Sequence, residues 1–234
     1  MVAIYKREMK AYFTSLITYF FFAVFFAVQG LLFSYLYQNG STTVFAIPFA
    51  YPMYLTIFLI PLLTMRTISE DKRQKVDQVL LTAPVSVSAV ILGKFFACLS
   101  VYAIAISPLL IYQVIVAYFA TVNWLLFAYA ILGTLLLAAT LIACGIFISS
   151  LTESTALAAV LTVGANIFLM FINSIVSMTG IEWLTEATDV IGLMDRYAAF
   201  ADGVFSIPDV IYYLSFIVVF IFLTVRSVEK RRWA

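Results

Sequence analysis

The sequence predicts an all-α membrane protein of six transmembrane helices with both ends in the cytoplasm. Three observations predict it. The 234 residues are 65% hydrophobic and 11% charged, with a mean hydropathy of +1.09, where a soluble domain of this length needs a far more polar surface. No charged residue lies between Lys10 and Arg66, Lys94 and Glu153, Glu153 and Glu182, or Asp209 and Arg226. The basic residues cluster in the segments that one side of such a layout would hold. No Gly-, Ser- or Pro-rich linker splits the chain, so residues 1–234 read as one unit. Cys98 and Cys144 sit inside apolar runs, which does not indicate a disulfide framework. The absence of histidine removes the commonest metal ligand and general base together, so enzyme chemistry and a metal site are not expected.

Met1 to Phe13 opens the chain as a short amphipathic helix. Ile4, Tyr5 and Met9 are expected to face lipid while Lys6, Arg7 and Lys10 meet anionic headgroups. Ordinary basic flanking of the first span is the alternative. The apolar stretch that follows is too long for a signal peptide, and no clean small-residue cleavage pattern follows it.

A helix needs roughly 20 apolar residues to cross about 30 Å of hydrocarbon. The charge-free gaps then hold spans at about 15–37, 45–65, 96–120, 124–149, 155–178 and 209–226. Asn39-Gly40-Ser41-Thr42-Thr43 turns the chain between the first two, and Thr121-Val122-Asn123 separates the third from the fourth, with Trp124 as an interfacial anchor. With both ends inside, the cytoplasmic side carries twelve of the thirteen Lys and Arg residues. The outer side holds Arg196 with Glu182, Glu186, Asp189, Asp195, Asp202 and Asp209.

The loop after the second span carries a helix of its own. Thr67 and Glu70 have capping-box spacing, and Glu70 and Asp71 suit a helix N-terminus. Asp71 and Lys75 can pair at i, i+4; Val76, Val79, Leu80 and Ala83 share a face; Pro84 ends the run. A helix of about three turns follows, charged first and apolar second. It is either a solvated connector or an element shaped to dock into a groove on a cytosolic partner.

Within the spans, Pro48, Pro52, Pro61 and Pro108 are expected to bend their helices. Ala139 with Ala143 and Gly145 with Ser149 put small residues four apart, which permits close helix approach. Thr155, Thr162, Asn166, Asn173 and Ser177 fall within about 60° of one another on the fifth span. An amide facing lipid is costly, so this stripe faces protein, as hydrogen-bonding glue, or lines a translocation path or dimer seam. Gln29 and Gln113 invite the same two readings. Between Thr179 and Pro208, Ile181, Trp183, Leu184, Ala187, Ile191, Met194, Ala198 and Ala201 recur at helical spacing among acidic residues. They predict two short amphipathic helices at the outer interface, either a lid over an exit or helices resting on the bilayer.

Four runs carry a family resemblance: Pro61-Leu62-Leu63-Thr64-Met65-Arg66, Ser69-Glu70-Asp71-Lys72-Arg73, Leu80-Leu81-Thr82-Ala83-Pro84-Val85-Ser86 and Leu92-Gly93-Lys94-Phe95. In that order they resemble the type 2 ABC-transporter permeases, and are most similar to those associated with gliding motility. The resemblance implies a permease domain, with a coupling helix at about 68–81 that fits a cleft on a separate ATPase subunit. Glu70, Asp71, Lys72 and Arg73 would make the ATPase contact there, with Val76 and Leu80 as apolar anchors. It further implies a second permease copy or a related permease, an amphipathic connecting helix at the N-terminus, and residence in the inner membrane of a prokaryote. Membrane lipids are the remaining partners, and no nucleic acid is implied.

A phosphate loop needs Gly-x-x-x-x-Gly-Lys followed by Ser or Thr. At Gly93-Lys94 the first glycine is replaced by Ser88 and the final hydroxyl by Phe95, so ATP and Mg are expected in the partner and no cofactor in this chain. Two other classes stay open. One is a secondary transporter or channel; a proton-coupled carrier usually needs an ionisable group within the membrane, and the six spans hold none between their end residues, Asp209 and Arg226 merely bounding the last. The third class is a membrane anchor for a mechanochemical complex.

Overall fold

The computed structural model describes residues 1–38, 47–74, 86–119, 121–178 and 192–232, and gives the backbone alone for 36, 37, 47–53, 231 and 232. Every regular element among the described residues is a helix. In chain order these are α1 (Val2–Thr14), α2 (Leu16–Gln38), α3 (Ile47–Thr64), α4 (Ser69–Arg73), α5 (Val87–Ile106), α6 (Pro108–Phe119), α7 (Trp124–Leu151), α8 (Thr155–Ser177), α9 (Leu193–Ala201) and α10 (Ile207–Arg232). Five stretches are long and apolar enough to cross a bilayer: α2, α5 with α6, α7, α8 and α10. The protein is therefore a multi-pass membrane protein. α3 occupies the second expected span with 18 residues, about 27 Å of helix.

The helix starts have local causes. Asn123 caps α7, its Oδ1 accepting from the backbone N–H of Leu125 and Leu126 at 3.1 and 3.2 Å. Ser86 and Ser154 cap α5 and α8 in the same way. At Pro108 the missing N–H would orphan the Ile104 carbonyl. The Ser107 hydroxyl donates to that carbonyl at 2.7 Å, and the apolar path continues as α6. α9 closes with Gly203 at φ 80°, and Val204 N–H reaches back to the Ala199 carbonyl at 2.9 Å, a Schellman-type end that glycine permits.

α7 is the axis of the bundle. It packs against α3, α5, α8, α9 and α10, and 72% of the residues in its most apolar 18-residue stretch are buried, against 17% in that of α10 and 22% in that of α2. Helices that lie mostly outward present apolar surface: Phe20, Leu31, Leu161, Val218 and Phe222 are all exposed. An apolar exterior of this kind is what hydrocarbon, not water, solvates.

Two expectations are corrected here. α5 begins at Val87, nine residues before the expected start of the third span, so Lys94 lies inside a long apolar helix. Ile4 and Met9 do not face lipid: Ile4 is buried against Gly93 of α5, and Met9 packs on the core. Tyr5 is half-buried, its hydroxyl donating to Ser100 Oγ of α5 at 3.0 Å. α1 is thus a helix docked on the bundle, with Lys6, Arg7 and Lys10 on its outer side. The turn at 39–43, the apolar half of the loop helix at 75–85 and the first outer helix lie outside the described residues.

Candidate functional site

The basic end of the bundle gathers α1, the end of α3, α4, the start of α5 and the end of α7. α4 is a five-residue helix whose capping differs from the capping-box expectation. The Thr67 hydroxyl donates to the Thr64 carbonyl at 2.7 Å instead of capping, because it continues the last turn of α3. The cap comes from another helix: Ser149 Oγ of α7 accepts the backbone N–H groups of Ile68 and Ser69 at 3.2 and 3.0 Å. A capping oxygen from a distant helix satisfies the same orphan donors. It also ties the position of α4 to that of α7.

Two of the four charged residues of α4 turn inward. Lys72 is buried and donates to the Ser150 carbonyl at the end of α7. Asp71 forms an ion pair with Lys94 at 2.8 Å, with Arg7 3.8 Å away. Lys94 is only 3% exposed and also donates to Glu8 of α1 at 3.0 Å. Glu8, Lys94 and Asp71 therefore join α1, α5 and α4 through one buried ammonium. Burial opposes charge on Arg7, but its hydrogen bond to Glu8 and the nearby Asp71 carboxylate raise its pKa above the ordinary value, so it stays a cation. Beside this cluster the Tyr12 hydroxyl donates to the Leu63 carbonyl at 3.0 Å and lies 2.8 Å from Cys98 Sγ. Burial pushes the Tyr12 phenol well up, and the neighbouring Cys98, Glu8 and Asp71 push it the same way.

The other two charged residues of α4 pair with each other, Glu70 at the cavity's edge and only 25% exposed. Glu70 lies 3.5 Å from Arg66 and 3.7 Å from Arg73, and Arg73 is well exposed. Val76 and Leu80, expected as anchors, lie outside the described residues, as does Lys75. A cavity of about 650 Å³ opens between α1, α2, the end of α3 and α4, lined by Arg7, Arg66, Glu70 and Asp71 among others.

The middle of the polar stripe of α8 is turned into protein, and its ends are not. Thr162 and Asn166 are fully buried; the Asn166 amide donates to the Ile57 carbonyl of α3 at 3.4 Å, leaving its Oδ1 unpartnered among the described residues. Asn173 donates to Asp195 of α9, while Ser177 is exposed and bonds within its own helix. Thr155 is half-buried beside the Ser154 cap. Gln113 is buried in α6, and the buried Gln29 donates to the Ala105 carbonyl at 3.4 Å.

At the opposite end α9 is fastened to the bundle. Its buried Leu193, Tyr197 and Phe200 face inward, Phe200 filling the space left by Gly133 of α7. Tyr213 donates to the Leu193 carbonyl at 2.8 Å, and Arg196 pairs with Asp209 at 2.6 Å.

Sequence reasoning missed Glu8, Tyr12 and Ser150, and gave Ser149 a packing role but not its capping one. Ser149 and Ser150 carried one signal, hydroxyls closing an otherwise apolar span. No protein-family model and no curated protein matches this chain.

Proposed function

We infer that this chain is the six-span permease subunit of an ATP-driven exporter, driven through the α4 segment by a separate ATPase that binds ATP and Mg. Its basic end would lie in the cytoplasm of a prokaryote, under the inner membrane, with a second permease completing the path. The observation that carries this reading is the mounting of α4. Ser149, Ser150 and Lys94 tie it to α7 and α5, while Arg73 remains well exposed with Glu70 beside it. A helix free to swivel would dissipate a push; one bonded to the central helix passes it on. Asp71 and Lys72 then seat the lever, and Glu70 and Arg73 contact the partner.

The test is ATP turnover of the complex recovered with this chain from its native membrane. Glu70→Ala/Arg73→Ala is expected to lower turnover roughly tenfold, as loss of an interface hot spot does, with the unfolding temperature of the chain unchanged. Unaltered partner binding and turnover would refute the coupling role. Lys94 favours the secondary-transport reading, because it puts an ionisable group inside a span-length helix. A protonophore that stops transport while ATP is abundant would decide for it.

A further inference from the structure

The cavity between α1, α2, α3 and α4 has a wall of mixed character. Leu16, Ile17 and Leu62 line one side, and Leu16, the first residue of α2, is 83% exposed. Phe20, one turn further along α2, is also exposed, so the apolar side runs into the outward face of a span-length helix. The other side holds three cations and three carboxylates: Arg7, Arg66 and Lys94 against Glu8, Glu70 and Asp71. Lys94 is held by Glu8 and Asp71, and Asp71 by Lys94 in turn, so the groups that can turn to a ligand are the half-exposed Arg7 and Arg66 with Glu70 beside Arg66.

We propose that this cavity binds the headgroup of an ethanolamine phospholipid, its phosphate held by Arg7 and Arg66 and its ammonium by Glu70. The arginine fork suits phosphate oxygens bidentately. The balance of charge argues against a simple anion, which meets as many carboxylates as cations. A choline headgroup carries the same charges but has no N–H to donate to that carboxylate, and a glycerol headgroup brings it no cation. The volume of about 650 Å³ falls within the usual range for small-molecule sites. The position fits a lipid, since Ser15, Leu16 and Ile17 line the cavity where α2 begins its apolar run and acyl chains can follow Leu16 and Phe20 outward.

The experiment exchanges the purified chain into micelles with equal amounts of phosphatidylethanolamine, phosphatidylcholine and phosphatidylglycerol, and counts retained lipids by native mass spectrometry. It needs no ATPase, so it is independent of the exporter reading. Roughly tenfold more ethanolamine lipid than either competitor is expected, the ratio that charge-assisted hydrogen bonds produce. Arg7→Gln/Arg66→Gln should abolish the excess, and Glu70→Gln should shift retention toward phosphatidylglycerol. Equal retention of the three lipids by the unaltered chain overturns the proposal, and that arm depends on no variant folding. So does an undiminished preference in a monodisperse Arg7→Gln/Arg66→Gln chain, or displacement of the lipid by an equal concentration of soluble phosphoethanolamine.

Discussion

At the scale of single residues, Lys94 decides most. One ammonium, 3% exposed, holds two carboxylates from two other helices. Removing one partner of a buried ion pair costs more than replacing the whole set, because the remaining charges stay desolvated. Lys94→Met should therefore cost about 3 kcal/mol. The triple change Lys94→Met/Glu8→Gln/Asp71→Asn, which leaves no net buried charge, should recover most of that loss. Unfolding midpoints of the three proteins in one detergent check it; a single variant as stable as the triple variant would show that the ion cluster is not held as drawn. The sequence marked Lys94 as the edge of a span, since charge-free length is the signal used. What it could not show is that Glu8, 86 positions away, and Asp71 solvate that lysine and let α5 begin at Val87.

At the scale of elements, α1 and α4 are held by partners distant in sequence. The amphipathic pattern of α1 was legible, but its direction was not: Ile4 points at Gly93, where the missing side chain makes room. Likewise Thr67 and Glu70 have the spacing of a local cap, yet Ser149 reaches the α4 donors first. Local signals name an element; contacts across the bundle decide what it faces. Tyr12 makes the docking of α1 measurable. Its phenol is raised above the ordinary value near 10, chiefly by burial. Below about pH 10 folded and unfolded states are both neutral at this group, so it adds no pH dependence. Above that, the unfolded chain releases the proton and the folded chain does not, so stability falls as pH rises. The thermal midpoint of the unaltered chain should drop between about pH 9 and about pH 11 more steeply than that of Tyr12→Phe. At neutral pH, Tyr12→Phe should cost about 1 kcal/mol for the bond to the Leu63 carbonyl. Parallel alkaline limbs would place Tyr12 in water and α1 off the bundle.

At the scale of the whole molecule, the bundle depends on how closely α7 approaches its neighbours. The small-residue spacing at Ala139, Ala143, Gly145 and Ser149 predicts close packing, and all four are buried. The sequence does not say which neighbours each one meets, since that follows from chain order and helix rotation together. At Gly145 the answer is two helices at once: a Cβ would lie 2.9 Å from Thr64 Cβ of α3 and 3.1 Å from Thr162 Cγ2 of α8. Neither threonine can yield easily. Each is β-branched, and each hydroxyl is bonded back to a carbonyl four residues earlier, at Ile60 and Ala158. Gly145→Val must push α3 and α8 away from the axis and should cost about 3 kcal/mol, toward the upper end of overpacking effects. Gly164 of α8 supplies the control, because nothing lies within 4 Å of a Cβ there and the residue is exposed. Gly164→Val should leave the unfolding midpoint nearly unchanged, since it adds an apolar group to a face that lipid or detergent covers. If both variants unfolded at the same temperature, α7 would not be the tightly packed axis, and a push on α4 would have no rigid helix to travel through.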